Sequence, residues 1–83
     1  MIHQAIITGS TGLVGQSLVK YLLKNQVDVL CLGRKNLSKS DINKLFGKGA
    51  TYLQLDMNNI NNLVNEINNI NWKIDRNCIF YHL

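Results

Sequence analysis

The sequence is poor in acidic and aromatic residues, has no proline and contains no long apolar run. A membrane span needs an apolar run of ~20 residues, and no stretch of the chain approaches that length. Residues 1–4 also lack the charged segment and following apolar core of a secretory signal. We therefore expect a cytoplasmic protein without membrane contacts. We assign no mechanistic meaning to the absence of proline or to the many asparagines.

Cysteine is scarce as well, with only Cys31 and Cys78 in the chain, each inside an apolar run. This placement predicts buried, reduced strand residues and argues against a disulfide or a metal-binding pair. His3 and His82 have no cysteine or carboxylate at metal-ligand spacing, so we expect no metal site.

The 83 residues suffice for one small domain, taken here as residues 1–83, and they carry a net charge of +4. Five of the nine basic residues fall between positions 34 and 48. A basic cluster can bind nucleic acid. Because few aromatic residues interleave with this cluster and no recognition motif accompanies it, nucleic-acid binding is the weakest functional hypothesis, and we expect none.

Apolar patterning alternates between strand and helix along the whole chain. Ile60, Leu63, Val64 and Ile67 recur at three- and four-residue steps, which is typical of one buried helix face. The order β-α-β-α-β-α-β predicts an α/β fold, a parallel sheet of about four strands with helices on both faces. That is half of a doubly wound nucleotide-binding fold. The predicted strands are 3–8, 27–32, 50–55 and 78–82, and the predicted helices are 12–25, 41–46 (capped by Ser40 and ended by Gly47 and Gly49) and about 57–69.

Residues 8–15, Thr-Gly-Ser-Thr-Gly-Leu-Val-Gly, join the first predicted strand to the first helix. A glycine-rich turn in this position lets the backbone approach a diphosphate, while the helix N-terminus directs free N–H groups and a positive dipole end at it. We predict that Gly9 makes the sharp turn, Gly12 permits close phosphate approach, and Gly15 lets the helix pack tightly on the strand. The alternative is a surface turn that happens to contain three glycines.

Two side chains of this turn carry hydroxyl groups. Ser10 and Thr11 can donate hydrogen bonds to a ligand or cap the following helix. A P-loop is excluded, because its final glycine is followed by lysine and a hydroxyl residue, whereas Gly15 is followed by Gln16 and Ser17.

The end of the second predicted strand should reveal the choice of cofactor. About 20 residues after a glycine turn, an NAD site has an acidic residue that accepts the ribose hydroxyls. This chain has Gly33-Arg34-Lys35 there. A guanidinium can hold a 2′-phosphate through a two-pronged, charge-assisted contact, so Arg34 favours NADP over NAD. Alternatively, Arg34 is one more member of a solvated basic face.

Asp56 follows the third predicted strand in the segment Leu-Gln-Leu-Asp-Met. Its carboxylate can accept a hydrogen bond from an adenine amino group, supported by the backbone N–H of the adjacent residue, Met57. The alternative role of Asp56 is the N-cap of the next helix, which spacing alone favours, and the two roles are compatible.

Four segments together resemble the start of the extended short-chain dehydrogenases/reductases, the NAD(P)-dependent epimerase/dehydratase-like proteins. The resemblance implies a Rossmann-type fold whose glycine turn wraps the pyrophosphate, an arginine that marks NADP-preferring members, and an aspartate that holds adenine. It also implies that His82 and Leu83 begin the segment that lines the nicotinamide-side ribose. The matching segments are I-I-T-G-S-T-G-L-V-G at 6–15, L-G-R at 32–34, L-Q-L-D-M at 53–57 and I-F-Y-H-L at 79–83. The predicted cofactor-binding residues are Gly9, Ser10, Thr11, Gly12, Leu13, Val14, Gly15, Arg34, Asp56 and Met57.

The sequence departs from this family in its catalytic residues, a Ser/Thr and a Tyr-x-x-x-Lys helix. Lys24 follows Tyr21 after three positions instead of four, and we expect Tyr21 to pack against the sheet. Tyr81 is predicted on a strand with no lysine after it. We therefore predict no catalytic residue here and expect the NADP-binding N-terminal half of a reductase or epimerase. The alternative is a non-catalytic NAD(P)-binding or redox-sensing module.

A parallel half-sheet that stops at its fourth strand leaves an unpaired edge. Such edges recruit other chains. We therefore expect self-association or a missing C-terminal segment that covers the edge. No residue points to a particular substrate.

Overall fold

The computed structural model describes residues 3–56, 62–75 and 77–83. Strands and helices alternate along the chain, as the apolar pattern predicts. The elements are β1 (Gln4–Thr8), α1 (Leu13–Lys24), β2 (Asp28–Gly33), α2 (Lys39–Phe46), β3 (Thr51–Gln54), α3 (Leu63–Asn69) and β4 (Cys78–His82).

The four strands form one parallel sheet in the order β3-β2-β1-β4. The last residue of β1, Thr8, lies beside Leu32 of β2 on one side and His82 of β4 on the other. The carboxyl ends of the strands therefore meet at one edge of the sheet. The predicted α/β architecture is confirmed.

Apolar residues on both faces of the sheet are buried, which is why β1 and β2 are almost continuously apolar. Alternate residues of these strands pack on opposite faces, α1 and α2 lie over the first face, and α3 lies over the second. The first core cluster contains Ala5, Ile7, Val19, Leu22, Val27, Val29, Cys31 and Phe46. The second contains Ile6, Leu30, Leu32, Ile67 and Trp72.

The N-cap of α2 differs from the prediction. Ser40 was expected to cap this helix, but Ser38 does so. Its hydroxyl accepts from Asp41 N at 3.1 Å, and the Asp41 carboxylate accepts from Ser38 N at 3.2 Å. This reciprocal pair satisfies two helix-end N–H groups at once, so the helix begins two residues earlier than predicted. Gly47, at φ 87°, ends it as expected.

The buried face of α1 also differs from the prediction. Tyr21 was expected to pack against the sheet, but it is 64% exposed. Gly15, Val19 and Leu22 form the buried face, at steps of four and three residues. Tyr21 precedes Leu22 by one position, and a step of one residue turns a side chain about 100° around the helix axis. It therefore points away from the core.

β4 is an edge strand of the described sheet, with β1 as its neighbour. Phe80 and Leu83 are 45% and 50% exposed. Cys78 is half-buried and not fully buried as predicted, because it lies on this edge, whereas Cys31 in the interior strand is completely buried. The self-association or further segment expected at this edge stays a prediction.

The third predicted helix, 57–69, corresponds in its second half to α3, while residues 57–61 lie outside the described part of the chain. In the segments 3–56, 62–75 and 77–83, no helix is both long and apolar enough to cross a membrane.

Candidate functional site

The glycine turn begins directly after β1 with a backbone conformation that favours glycine. Gly9 has φ +67°, in the left-handed region that residues with a Cβ rarely adopt. A Cβ at Gly9 would also lie 2.8 Å from the backbone oxygen of Leu83, beyond the end of β4. The sharp turn predicted for Gly9 is therefore present, and the end of β4 presses against it.

Gly15 brings the first turn of α1 against the backbone of the glycine turn. A Cβ at Gly15 would lie 2.5 Å from Gly9 O and 2.6 Å from Ser10 Cα, closer than real contacts allow. Gly15 therefore permits tight helix packing, as predicted, but the surface that it packs against is the glycine turn and not the strand.

Gly12 is the N-cap of α1, and a side chain there would fit without a clash. Its backbone lies at φ −73° and ψ 168°, and the nearest atom to a Cβ placed there is Gly9 O at 3.7 Å. The hydrogen bonds of the helix begin with Gln16 N donating to Gly12 O at 2.9 Å. The backbone N–H groups of Leu13, Val14 and Gly15 have no acceptor within the helix, because the first turn of any helix lacks one.

The hydroxyl groups of the turn do not cap α1. The helix has no side-chain cap, so that role predicted for Ser10 and Thr11 is wrong. Ser10 is completely buried, and its Oγ makes no hydrogen bond of conventional geometry to any residue that the structure describes. It lies near the Cys31 thiol. Thr11 instead faces a surface cleft, and its carbonyl accepts a hydrogen bond from Gln16 Nε2 at 2.7 Å.

A cleft of about 250 Å³ joins the glycine turn to the end of β2. It lies at the carboxyl edge of two neighbouring parallel strands, where open α/β sheets bind ligands. Residues more than 20 positions apart in the chain thus share one surface. The lining residues are Gly9, Thr11, Leu32, Gly33, Arg34 and Lys35.

The Arg34–Lys35 segment is held by two side chains of β3 that the sequence analysis missed. Tyr52 Oη donates to Lys35 O at 2.8 Å, and Gln54 Nε2 donates to Arg34 O at 3.1 Å. Burial, followed by the nearby Cys31 thiol, raises the pKa of Tyr52, so its hydroxyl keeps its proton and donates. Alternation along β3 places Tyr52 and Gln54 on one face, but their targets lie on another strand's loop, which no local pattern indicates.

Thr8 and His82 connect the ends of β1 and β4 beside the turn. Thr8 Oγ1 and His82 Nδ1 are 2.8 Å apart, and the Thr8 side chain is buried. The hydrogen bond joins the residue before Gly9 to the strand whose end presses on Gly9.

Three further predicted site residues, Leu13, Val14 and Asp56, are absent from the cleft lining. Leu13 and Val14 are exposed, at 85% and 72%, on the first turn of α1. Asp56 is exposed just beyond β3. Its predicted role as the N-cap of a helix from about residue 57 concerns residues outside the described part of the chain and stays a prediction; α3 as described begins after Asn62. Met57 lies outside the described residues.

The buried thiol of Cys31 has low reactivity. Burial raises the pKa of the Cys31 thiol to about 12, against a smaller opposing effect of the Ser10 hydroxyl. Since the thiolate is the nucleophilic form, Cys31 has no role as a nucleophile near neutral pH. Within the described segments, no three His, Cys, Asp or Glu side chains cluster in a way that can hold a metal ion.

Comparison with known proteins identifies related sequences and folds. A sequence model of the NAD dependent epimerase/dehydratase family matches residues 5–75. A search of curated proteins finds no match.

Several solved structures share this fold. A variant of ElxO with NADPH bound has a TM-score of 0.68 at 23% identity, covering 90% of this chain and 33% of its own. Vestitone reductase from alfalfa (Medicago sativa) has a TM-score of 0.65 at 23% identity, covering 95% and 24%. A short-chain dehydrogenase from Leptospira borgpetersenii with bound NAD+ has a TM-score of 0.60 at 22% identity, covering 86% and 28%. The chain thus spans a quarter to a third of the length of these proteins.

Proposed function

Because the chain belongs to the NAD dependent epimerase/dehydratase family, we propose that it binds a nicotinamide dinucleotide and prefers NADP to NAD. The observation that carries the proposal is the cleft in which the glycine turn and Arg34 lie together. The structural neighbours support the cofactor class, since one was solved with NADPH and another with NAD+.

The pyrophosphate would lie against the glycine turn. Gly12 leaves room for it, Gly9 makes the turn that exposes the backbone, and Ser10, Thr11, Leu13, Val14 and Gly15 would contribute backbone N–H groups. The free N–H groups of the first turn of α1 and its positive dipole end both favour a bound phosphate. The fit has structural support, because a Cβ at Gly12 would meet no atom closer than 3.7 Å.

The adenosine half would extend toward the ends of β2 and β3. Arg34 and Lys35 both line the cleft, and a 2′-phosphate is the group of NADP that would attract them. Asp56 and the backbone of Met57 would hold the adenine. An acidic residue in place of Arg34 would repel the 2′-phosphate.

The chemistry of the whole protein would come from residues other than these. We propose a cytoplasmic reductase or epimerase of which this chain is the cofactor-binding N-terminal part. The alternative is a non-catalytic NAD(P)-binding or redox-sensing module. A Tyr-x-x-x-Lys segment encoded downstream of Leu83 would favour the enzyme, and a reading frame without one would favour the module.

The test of NADP preference is a titration of the chain with NADPH, NADH and 2′,5′-ADP. We expect Arg34→Asp to weaken binding of both phosphorylated ligands about 10- to 100-fold, the range of hydrogen bonds to charged groups, and to leave NADH binding unchanged. Lys48→Asp is the matched control, because it changes the net charge equally in the exposed turn before β3. Equal effects of the two variants would identify a general charge effect and contradict the role of Arg34.

A further inference from the structure

We propose that Tyr52 and Gln54 are positioning residues for cofactor selectivity, which rests on the proposed NADP preference. They hold the backbone of Arg34 and Lys35 in one conformation, so that both charged side chains extend toward the 2′-phosphate from a fixed backbone position. Neither side chain lines the cleft among the residues that the structure describes.

The hydrogen bonds involve the backbone of the basic segment and not its charged groups. Lys35 O accepts from Tyr52 Oη at 2.8 Å, and Arg34 O accepts from Gln54 Nε2 at 3.1 Å. Arg34 and Lys35 lie in a bend after β2, outside any helix or strand, and both are exposed. Two consecutive carbonyls of a segment without regular structure are thus fixed from the neighbouring strand.

Gly33 makes the tyrosine contact possible. The parallel register places Cys31 beside Tyr52 and Gly33 beside Gln54. The Tyr52 side chain leans forward along the strand over Gly33, where a Cβ would lie 2.5 Å from Tyr52 Oη and 3.3 Å from two ring carbons. A residue with a side chain at position 33 would therefore displace the tyrosine hydroxyl from Lys35 O.

This arrangement has a consequence for affinity. Binding of a charged ligand by a free loop requires the loop to lose conformational entropy, and a loop already fixed in position avoids that loss. The gain in affinity applies to ligands that carry a 2′-phosphate, because only these would contact Arg34 and Lys35. Loss of the β3 contacts should therefore weaken NADP-type ligands selectively.

The experiment compares affinities for 2′,5′-ADP and 5′-AMP, which differ only in the 2′-phosphate, by calorimetric titration. Tyr52→Phe removes the hydroxyl and keeps the ring, while Gln54→Met removes the amide and keeps the side-chain length. We expect each to weaken binding of 2′,5′-ADP about 3- to 10-fold, as for loss of one hydrogen bond, and to change binding of 5′-AMP less than about twofold. Tyr21→Phe, on the exposed face of α1, is the matched control and should change neither ligand.

The selectivity ratio distinguishes positioning from a general loss of structure, which would weaken both ligands equally. An unchanged ratio in Tyr52→Phe and Gln54→Met would overturn the proposal. If Tyr52→Phe loses structure by circular dichroism, Gln54→Met decides, because its side chain lies on the exposed surface.

Parent and Arg34→Asp proteins test the proposed function separately. A parent that does not distinguish the two ligands would refute NADP preference, whereas a parent that does, with unaffected β3 variants, would refute only the role of Tyr52 and Gln54.

Discussion

Replacement of Gly15 by alanine separates helix propensity from packing in this fold. Alanine is the better helix former, and on an exposed helix position the change would stabilise the protein by about 1 kcal/mol. At Gly15, however, the added methyl group would lie 2.5 Å from Gly9 O, 2.6 Å from Ser10 Cα and 2.9 Å from Ser10 C. All three are backbone atoms, so no side-chain rotation can relieve the overlap.

The expected magnitude follows from these two opposing effects. Overpacking typically costs about 1–3 kcal/mol, and three backbone contacts below 3 Å put this site at the upper end. After subtraction of the propensity gain, we expect Gly15→Ala to lower the free energy of unfolding by about 1–2 kcal/mol. For a domain of this size, each kcal/mol corresponds to about 4–8 °C in Tm.

The assay is urea and thermal unfolding followed by circular dichroism, together with NADPH titration. Gly12→Ser is the matched control, because a Cβ fits there and serine is at least as good an N-cap as glycine. We expect Gly12→Ser to retain parental stability and yet weaken NADPH binding, since its side chain occupies the space proposed for phosphate. We expect Gly15→Ala to lose both stability and binding.

A Gly15→Ala protein as stable as the parent would refute this reasoning. It would mean that α1 does not lie against the glycine turn as closely as the structure has it. The turn would then not be preformed for a ligand.

Further predictions concern strand ends, alkaline pH and the sheet edge. Thr8→Val and His82→Ala should each destabilise the protein by about 0.5–1.5 kcal/mol. A double-mutant cycle should show coupling between the two changes. Strictly additive effects would exclude the 2.8 Å hydrogen bond between the two side chains. Because the folded state raises the pKa of Cys31 from 9 to about 12, the folded form binds this proton more tightly. The associated stability is present in full below pH 9 and is lost as the pH rises from 9 to 12, by up to about 1.4 kcal/mol per pH unit. The free energy of unfolding of Cys31→Ala, measured with urea, should fall less steeply over this pH range than that of the parent protein. An equally steep fall would contradict this prediction. The exposed β4 edge predicts concentration-dependent self-association in analytical ultracentrifugation, and a monomer at every concentration would argue against it.

The fold could be predicted from local patterns, because each strand and helix is indicated by a few neighbouring residues. Continuous apolar strands, the recurrence of Leu63 and Ile67, and glycines at the strand–helix junction all act over short distances along the chain. Errors arose where two local signals competed. Ser38 and Ser40 are both acceptable caps, and the carboxylate of Asp41 decides between them by completing a reciprocal pair. Apolar character alone could not show that Tyr21 lies outside the buried face.

The candidate site was predicted in its parts but not in its assembly. Glycine spacing indicated the conformation of Gly9 and the tight packing at Gly15. The position of Arg34 directly after β2 led to its proposed contact with a 2′-phosphate. The burial of Ser10 and the contacts of Tyr52 and Gln54 were not predictable, because they depend on atoms from other strands. Asp56 and Met57 keep their predicted adenine role as a proposal.

The sequence by itself determined the order of strands and helices, the parallel sheet and the presence of a glycine turn between β1 and α1. These depend on periodicity and on glycine stereochemistry, which are properties of neighbouring residues. Only the tertiary structure decided that the turn and Arg34 share one cleft, and that β3 fixes the backbone of the basic segment. Parallel register brings together residues some 20 positions apart, and no local pattern encodes a contact between backbone and side chains on different strands.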